Sequence, residues 1–297
     1  MFGMREQFAY FECADCGCLR LMTLPADLAK YYGPGYYSFT PTVLSRSVYR
    51  ASIRKLLTAG ELFHIAGLRW LRRQRNGRSP YLESLAHLQL HRGMRLLDVG
   101  CGRGEALYLL REVGFRAEGI DPYLPEEVTD EYGVRVRRVD LSKIRGEWDV
   151  IMFHHSLEHM PDHRRTLTLV QEHLAPAGRC LIRMPIASIA WHTYGVNWVQ
   201  LDPPRHLILH TLESFRHLAE NCGFKVESFH CDSSAFQFWG SELYKRDIPL
   251  RQGGPHLFSP EELRRFQATA EGLNREGAGD QAAFVLRRTG AQSGKRV

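Results

Sequence analysis

Asp98, Gly100, Gly102 and Gly104 stand at every second position, and Asp121 follows seventeen residues after Gly104. Glycines so spaced let a backbone press against a ligand where any Cβ would collide. The loop leaves an apolar run, Leu96 to Val99, and opens a helical pattern; Asp121 closes the next strand-like run, Phe115 to Ile120. A glycine loop after one strand and an acid after the next is the arrangement that holds an adenosine, with the acid on the ribose hydroxyls. Further along, His154-His155-Ser156-Leu157-Glu158-His159 follows another apolar run. Imidazoles titrate near neutrality, so His155 is the first candidate for a general base and His159, one helical turn later, the second.

Two kinds of adenosine ligand compete for the loop. A dinucleotide fingerprint reads G-x-G-x-x-G and points a helix N-terminus at a pyrophosphate. Here its third glycine position falls on Glu105, whose carboxylate would repel a pyrophosphate and would tolerate a cationic sulfonium. The stretch Asp98-x-Gly100-x-Gly102-x-Gly104 resembles motif I of the class I S-adenosylmethionine (SAM)-dependent methyltransferases. The resemblance continues in order. Gly119-Ile120-Asp121-Pro122-Tyr123 is similar to motif II, Val139-Asp140-Leu141 to the acid after strand three, Trp148 to His159 to motif IV, and Leu174 to Arg179 to the turn before strand five. It implies SAM as cofactor. Asp98, Gly100, Cys101, Gly102 and Gly104 would form the loop around it, with Asp121 on the ribose, Pro122 and Tyr123 beside the adenine, Asp140 and Leu141 at the adenine amino group, and His154 at the strand end. It also implies an α/β fold: a Rossmann-like seven-stranded sheet with helices on both faces, its last strand antiparallel.

The acceptor has to be read from the segment after strand five. Eight of the 14 histidines fall between His154 and His210, a density expected of a polar cleft. Trp198, Arg205 and His206 are the candidate substrate contacts: an aromatic face for a sugar, and two groups able to bond hydroxyls or an acidic group. His155 to His159 also spells H-x-x-E-H, a zinc-protease pattern that belongs on a helix. Here it follows a strand, and no metal is assigned to it. Cys13-x-x-Cys16 is half of a zinc ribbon. The relatives this chain resembles supply a second pair upstream, and Cys18 as third ligand makes poor tetrahedral geometry. The zinc site is read as degenerate or incomplete, and zinc is not favoured.

These residues need a scaffold, and 297 residues at 44% hydrophobic can build one. Strands are expected near 94–99, 115–120, 134–139, 148–153, 179–184, 225–232 and 281–289, with helices at 104–113, 163–173 and 211–222 between them. Four blocks follow. Residues 1–40 form a Cys/Tyr-rich segment containing Tyr31, Tyr32, Tyr36 and Tyr37. Residues 41–78 form a basic helical appendage. Residues 79–289 form the methyltransferase domain, with 234–280 an insertion capping the site, and 290–297 a polar tail. Residues 1–78 carry 12 Lys/Arg against 5 Asp/Glu, more than the whole net charge of +6. The basic excess therefore lies off the catalytic fold, which argues against a nucleic-acid substrate. Peripheral membrane contact through 41–78, which includes Arg46, is the alternative to simple packing on the core; packing is favoured. With no signal-peptide pattern at Met1 to Tyr10 and seven unevenly placed cysteines, a cytoplasmic enzyme is expected.

The function expected is SAM-dependent methyl transfer to a small-molecule or glycan-like acceptor, at oxygen. The alternatives are an NAD(P)-dependent oxidoreductase and a non-catalytic SAM-binding accessory protein.

Overall fold

The computed structural model describes residues 6–32 and 48–290. Tyr36, Tyr37, Arg46 and the tail after Gly290 lie outside these residues. The chain opens with β1 (Tyr10–Glu12) and β2 (Leu19–Leu21), then a helical pair, α1 (Val48–Leu62) and α2 (Ala66–Asn76), and α3 (Pro80–Ala86). The alternating region follows as β3 (Arg95–Val99), α4 (Glu105–Val113), β4 (Arg116–Ile120), β5 (Val128–Asp130), β6 (Gly133–Arg137), β7 (Trp148–His154), α5 (His163–His173) and β8 (Leu174–Pro185). It continues through α6 (Ile189–Tyr194), β9 (Ile208–Leu209), α7 (Leu212–Asn221), β10 (Phe224–Cys231), α8 (Phe236–Lys245), α9 (Pro260–Glu276) and β11 (Gln281–Arg288).

The large sheet runs β10-β11-β8-β7-β3-β4-β6-β5. Its centre, β8-β7-β3-β4-β6, is parallel, and β11 inserts antiparallel between β8 and β10. This is the expected methyltransferase sheet with one strand more. The addition, β5, is three residues long and pairs antiparallel with β6 at the edge, too short to show alternation in sequence. Leu97, Ile151, Phe153, Ile182 and Phe284 pack one face of the sheet, and Leu96, Val150, Met152, Leu181 and Val285 the other. Such two-sided burial is why these strands read as continuous apolar runs.

A second, three-stranded sheet, β1-β2-β9, joins the N-terminal segment to the catalytic region. Its strands of two or three residues carry no readable period. The basic helical pair lies against the core. A Cβ on Gly60 of α1 would sit 2.3 Å from Leu68 Cβ of α2, so glycine sets their close approach. The arginines turn inward to acids: Arg54 grips Glu112 of α4, Arg69, Arg72 and Arg73 surround the buried Glu61, and Arg73 and Arg78 hold Glu83 of α3. Charges spent on intramolecular pairs favour packing over a lipid-facing role. No helix among the described residues is long and apolar enough to cross a membrane.

Two of the clustered histidines serve the core and not a cleft. His163 Nδ1 lies 2.9 Å from His210 Nε2, and His210 Nδ1 lies 2.9 Å from Ser214 Oγ. Burial pushes His163 down to about 4 and His210 to about 3. An unfolded chain would protonate both near 6.5. Their contribution to stability is therefore complete above pH 6.5 and is lost as pH falls toward 4. A His210→Asn variant should flatten the dependence of unfolding free energy on pH between 6.5 and 4 by roughly 1 kcal/mol per pH unit. Denaturant melts across that range check this; a slope equal to wild type would show that His210 titrates alike in both states.

Candidate active site

In a parallel sheet, ligands sit beyond the carboxyl ends of the strands. Here the ends of β3, β4 and β7 meet at one cleft lined by Gly100, Asp121, Pro122, Tyr123, Asp140, Leu141, His155 and His159. Gly100 takes φ +72°, and a Cβ there would lie 2.6 Å from Ser156 Cβ. Ser156 in turn donates to Val99 O at 2.6 Å, which clamps the loop after β7 against the glycine loop. Asp121 is held by two backbone donors, Gly102 N–H at 3.0 Å and Tyr123 N–H at 2.9 Å. Burial pushes its carboxyl up. Asp140 caps the turn at Leu141 by accepting from Ser142 N–H, and hydrogen bonding by the Ser142 side chain, then by its backbone, holds the carboxyl low.

The donor set suits SAM. Two carboxylates, Asp121 and Asp140, line the cleft from separate loops. The start of α4 would be a poor pyrophosphate site. A Cβ on Gly104 would meet Val136 Cγ2 at 2.5 Å, and Glu105 opens the helix. Gly104 thus serves helix-on-strand packing. The other loop residues stand behind the cleft. Cys101 Sγ packs over Gly119, and Asp98 is buried with Tyr81 Oη 3.5 Å from its Oδ2. The His154 ring packs tilted against Tyr81, centroids 4.2 Å apart, and does not line the cleft. Tyr32, Met160, Arg165 and Leu169 line it and were not foreseen. Tyr32 stacks parallel to Tyr123 at 6.4 Å; no local pattern could announce a contact 91 residues distant.

The two candidate bases differ in what they have free. His155 adopts φ +52°, a strained conformation of the kind that collects at functional sites. Its Nε2 accepts from the Arg183 guanidinium, so its Nδ1 carries the proton and donates to Glu158 Oε1 at 3.2 Å. Both ring nitrogens are committed. His159 Nδ1 lies 2.8 Å from Arg205 O, an acceptor only, and 3.2 Å from Tyr32 Oη, so Nδ1 is protonated and Nε2 keeps its lone pair. That Nε2 has no hydrogen-bond partner among the described residues.

A second pocket adjoins the first and shares His155 and His159 with it; Val199, Gln200, Asp202, His206, Phe236 and Gln281 complete its wall. His206 Nδ1 lies 2.6 Å from Gln200 O, and its Nε2 lies 3.9 Å from Asp202 Oδ2. Glu158 is 0% exposed, and its Oε2 has no hydrogen-bond partner among the described residues. Burial works against its charge, but the His155 hydrogen bond and the neighbouring imidazoles outweigh it and hold the carboxyl at about 2.

Two expected substrate contacts need correction. Trp198 is 0% exposed and donates Nε1–H to Asp280 Oδ2 at 3.0 Å, a core residue and not a sugar platform. Arg205 is 2% exposed and ion-paired to Asp202, with its guanidinium 6.0 Å from the centre of the Tyr32 ring. Outside the residues that line the cleft, Cys13, Cys16 and Cys18 bring their sulfurs within 4.8 Å of one another, closer than their spacing suggested. No fourth ligand accompanies them among the described residues, and burial with the neighbouring thiols pushes Cys18 up to about 12.

A family model described as a methyltransferase domain matches residues 71–228, more than half of the chain. The methyltransferase in complex with the Haloferax volcanii Trm112 activator shares 16% identity and a TM-score of 0.51, covering 78% of this chain and 97% of the other. A SAM-dependent methyltransferase from Archaeoglobus fulgidus shares 21% identity and a TM-score of 0.43, covering 74% and 99%. No curated protein matches by sequence. At such identity the Haloferax structure supports a common fold and no more. The family match, the sheet order and the cleft agree, and this chain belongs to the class I SAM-dependent methyltransferases.

Proposed function

We propose that this protein transfers the methyl group of SAM to a small or glycan-like acceptor seated in the second pocket, and that His159 takes the proton the acceptor must lose. The carrying observation is the wall common to both pockets: His159 lines the cofactor cleft and the acceptor pocket at once. A displacement at carbon needs nucleophile, methyl and sulfur in line, so the base must stand where the two ligands meet. His159 has the one lone pair of the candidate pair that no donor among the described residues occupies. His155 serves as a positioning residue, bonding Glu158 on one side and Arg183 on the other.

In this reading Asp121 holds the ribose and Asp140 the adenine amino group, while Gly100 gives the backbone room to approach. Residues 79–289 act as the catalytic domain, and 234–280 caps it, contributing Phe236 to the acceptor pocket. We place the reaction in the cytoplasm, consistent with seven unpaired cysteines.

Incubation with methyl-labelled SAM and fractionated cell extract tests the function. Label should move to a low-molecular-weight fraction. Label on nucleic acid or protein would overturn the acceptor class, and no transfer in any fraction would leave an accessory SAM-binding role. Asp121→Ala should weaken SAM binding about 10- to 100-fold by calorimetric titration, as for a lost charged hydrogen-bond partner. Unchanged affinity would remove Asp121 from the ribose.

A further inference from the structure

The N-terminal segment, residues 6–32, is bonded into the back of the active site. Its β2 pairs with β9, and Leu21 N–H donates to Leu207 O at 2.9 Å. Tyr10 Oη donates to His206 O at 2.7 Å, and Thr211 Oγ1 donates to Cys16 O at 2.8 Å. On its other side the stretch from Arg205 to Leu209 is bonded to the loop after β7, where Leu207 N–H donates to Glu158 O at 2.7 Å. That stretch carries one of the two oxygens that meet His159 Nδ1, Arg205 O at 2.8 Å. The N-terminal segment carries the other, Tyr32 Oη at 3.2 Å.

Tyr32 lines the cofactor cleft beside Asp121, Tyr123 and His159. Its ring stands parallel to Tyr123 with centroids 6.4 Å apart and meets the His159 ring edge-on at 6.0 Å. Burial pushes its phenol up, so it keeps its proton at neutral pH. The Arg205 carbonyl can only accept, so the Nδ1 proton of His159 lies between two oxygens. When His159 takes a second proton at Nε2, the ring becomes a cation. Both N–H···O contacts then become charge-assisted and stronger than in the neutral ring. The two oxygens therefore favour the imidazolium, as the third group behind a catalytic base does in other hydrolytic and transfer sites.

We propose that the N-terminal segment is part of the active site and that Tyr32 is a positioning residue for His159: by sharing the Nδ1 proton with Arg205 O, its Oη fixes the tautomer with the lone pair on Nε2 and stabilises the imidazolium formed during transfer. This deepens the proposed function and rests on its reading of His159 as the base. The acceptor atom bonds the methyl carbon with one of its lone pairs, and the carbon–sulfur bond breaks with its pair to sulfur. The acceptor's proton passes to His159 Nε2, while Tyr32 keeps its own. Other groups also act on His159. Burial and His206 hold its pKa down, while Glu158, the Arg205 carbonyl and Asp202 act upward. Asp121, at the end of β4, feels its charge across the cleft, and His155 lines the same two pockets. All of these remain in Tyr32→Phe, which keeps the ring and loses only the oxygen.

Two measurements on full-length Tyr32→Phe test this. First, the His159 ring resonances, assigned by their loss in His159→Gln, are titrated by NMR with S-adenosylhomocysteine bound. The His159 pKa should fall by about 0.5–1 unit, the size of one ordinary hydrogen bond. Second, turnover is measured against pH with labelled SAM and the accepting extract fraction. A base works in its neutral form, so the acid limb should move to lower pH by the same amount. S-adenosylhomocysteine affinity should stay within about 2-fold, as no charged partner is lost. Tyr32→Leu, which lacks ring and oxygen alike, should shift the pKa at least as far. A shift in Tyr32→Leu without one in Tyr32→Phe would assign the effect to ring packing and overturn the proposal. An unmoved pKa in both would overturn it and leave His159 as the base. A lowered pKa with an unmoved acid limb would overturn it together with the base assignment.

Discussion

His159→Ala is expected to lower turnover by about 10²- to 10⁴-fold, the range for loss of a general base, with SAM affinity nearly unchanged. The residue's Nδ1 is bonded to Arg205 O, and the residue lines both pockets. His159→Gln should not restore activity, because an amide can bond the Arg205 carbonyl but cannot accept a proton at neutral pH. His155→Gln should behave differently. Its amide N–H can replace the bond to Glu158 and its carbonyl can accept from Arg183, so turnover should stay within about 10-fold of wild type. Single-turnover assays with labelled SAM on the accepting fraction separate the two. Loss of activity in His155→Gln together with tolerance of His159→Ala would return the base role to His155.

The part of this enzyme legible in its sequence is the part built by local rules. The loop from Gly100 to Gly104 and the acid at Asp121 sit at strand ends, and strand ends can be read from apolar runs and breakers. The seven expected strands formed with shifts at their ends, including the antiparallel insertion of β11. The acceptor side was read less well because its meaning depends on burial. A cluster of eight histidines looked like one polar cleft. In the fold it divides: His159 and His206 line the pocket, while His163 and His210 bond each other in the core. Likewise H-x-x-E-H shows residue types only. It does not show that Glu158 is wholly enclosed, nor that Arg183, 25 residues further on, occupies the nitrogen that His155 would need for catalysis. Tyr32 reaches the cleft because the β1-β2-β9 sheet docks the N-terminal segment beside it, a tertiary pairing across nearly 190 residues.

Trp198→Ala is expected to cost about 3–5 kcal/mol of stability, the range for emptying a large aromatic from a core. The indole is enclosed by Leu19 of β2, Ala187, Ala190, Leu201 and Leu209 of β9, so it ties the small sheet to the segment after β8. A smaller change isolates its polar end. Trp198→Phe keeps most of the packing and removes the N–H that Asp280 accepts. Burial already pushes the Asp280 carboxyl up to about 6, and the indole N–H opposes that rise. Without it, the folded pKa climbs further above the unfolded value near 3.9. A raised carboxyl holds its proton in the folded state, so its stabilising contribution is present at low pH and disappears as pH rises through the folded pKa. The deficit of Trp198→Phe relative to wild type should therefore be small at pH 5 and reach roughly 1–3 kcal/mol at pH 8, the cost of an unsatisfied buried acceptor. Denaturant unfolding at the two pH values measures it. If Trp198 touched the acceptor instead, both variants would keep wild-type stability and raise the acceptor KM at least 10-fold. That outcome would place the indole back in the cleft from which its enclosure now excludes it.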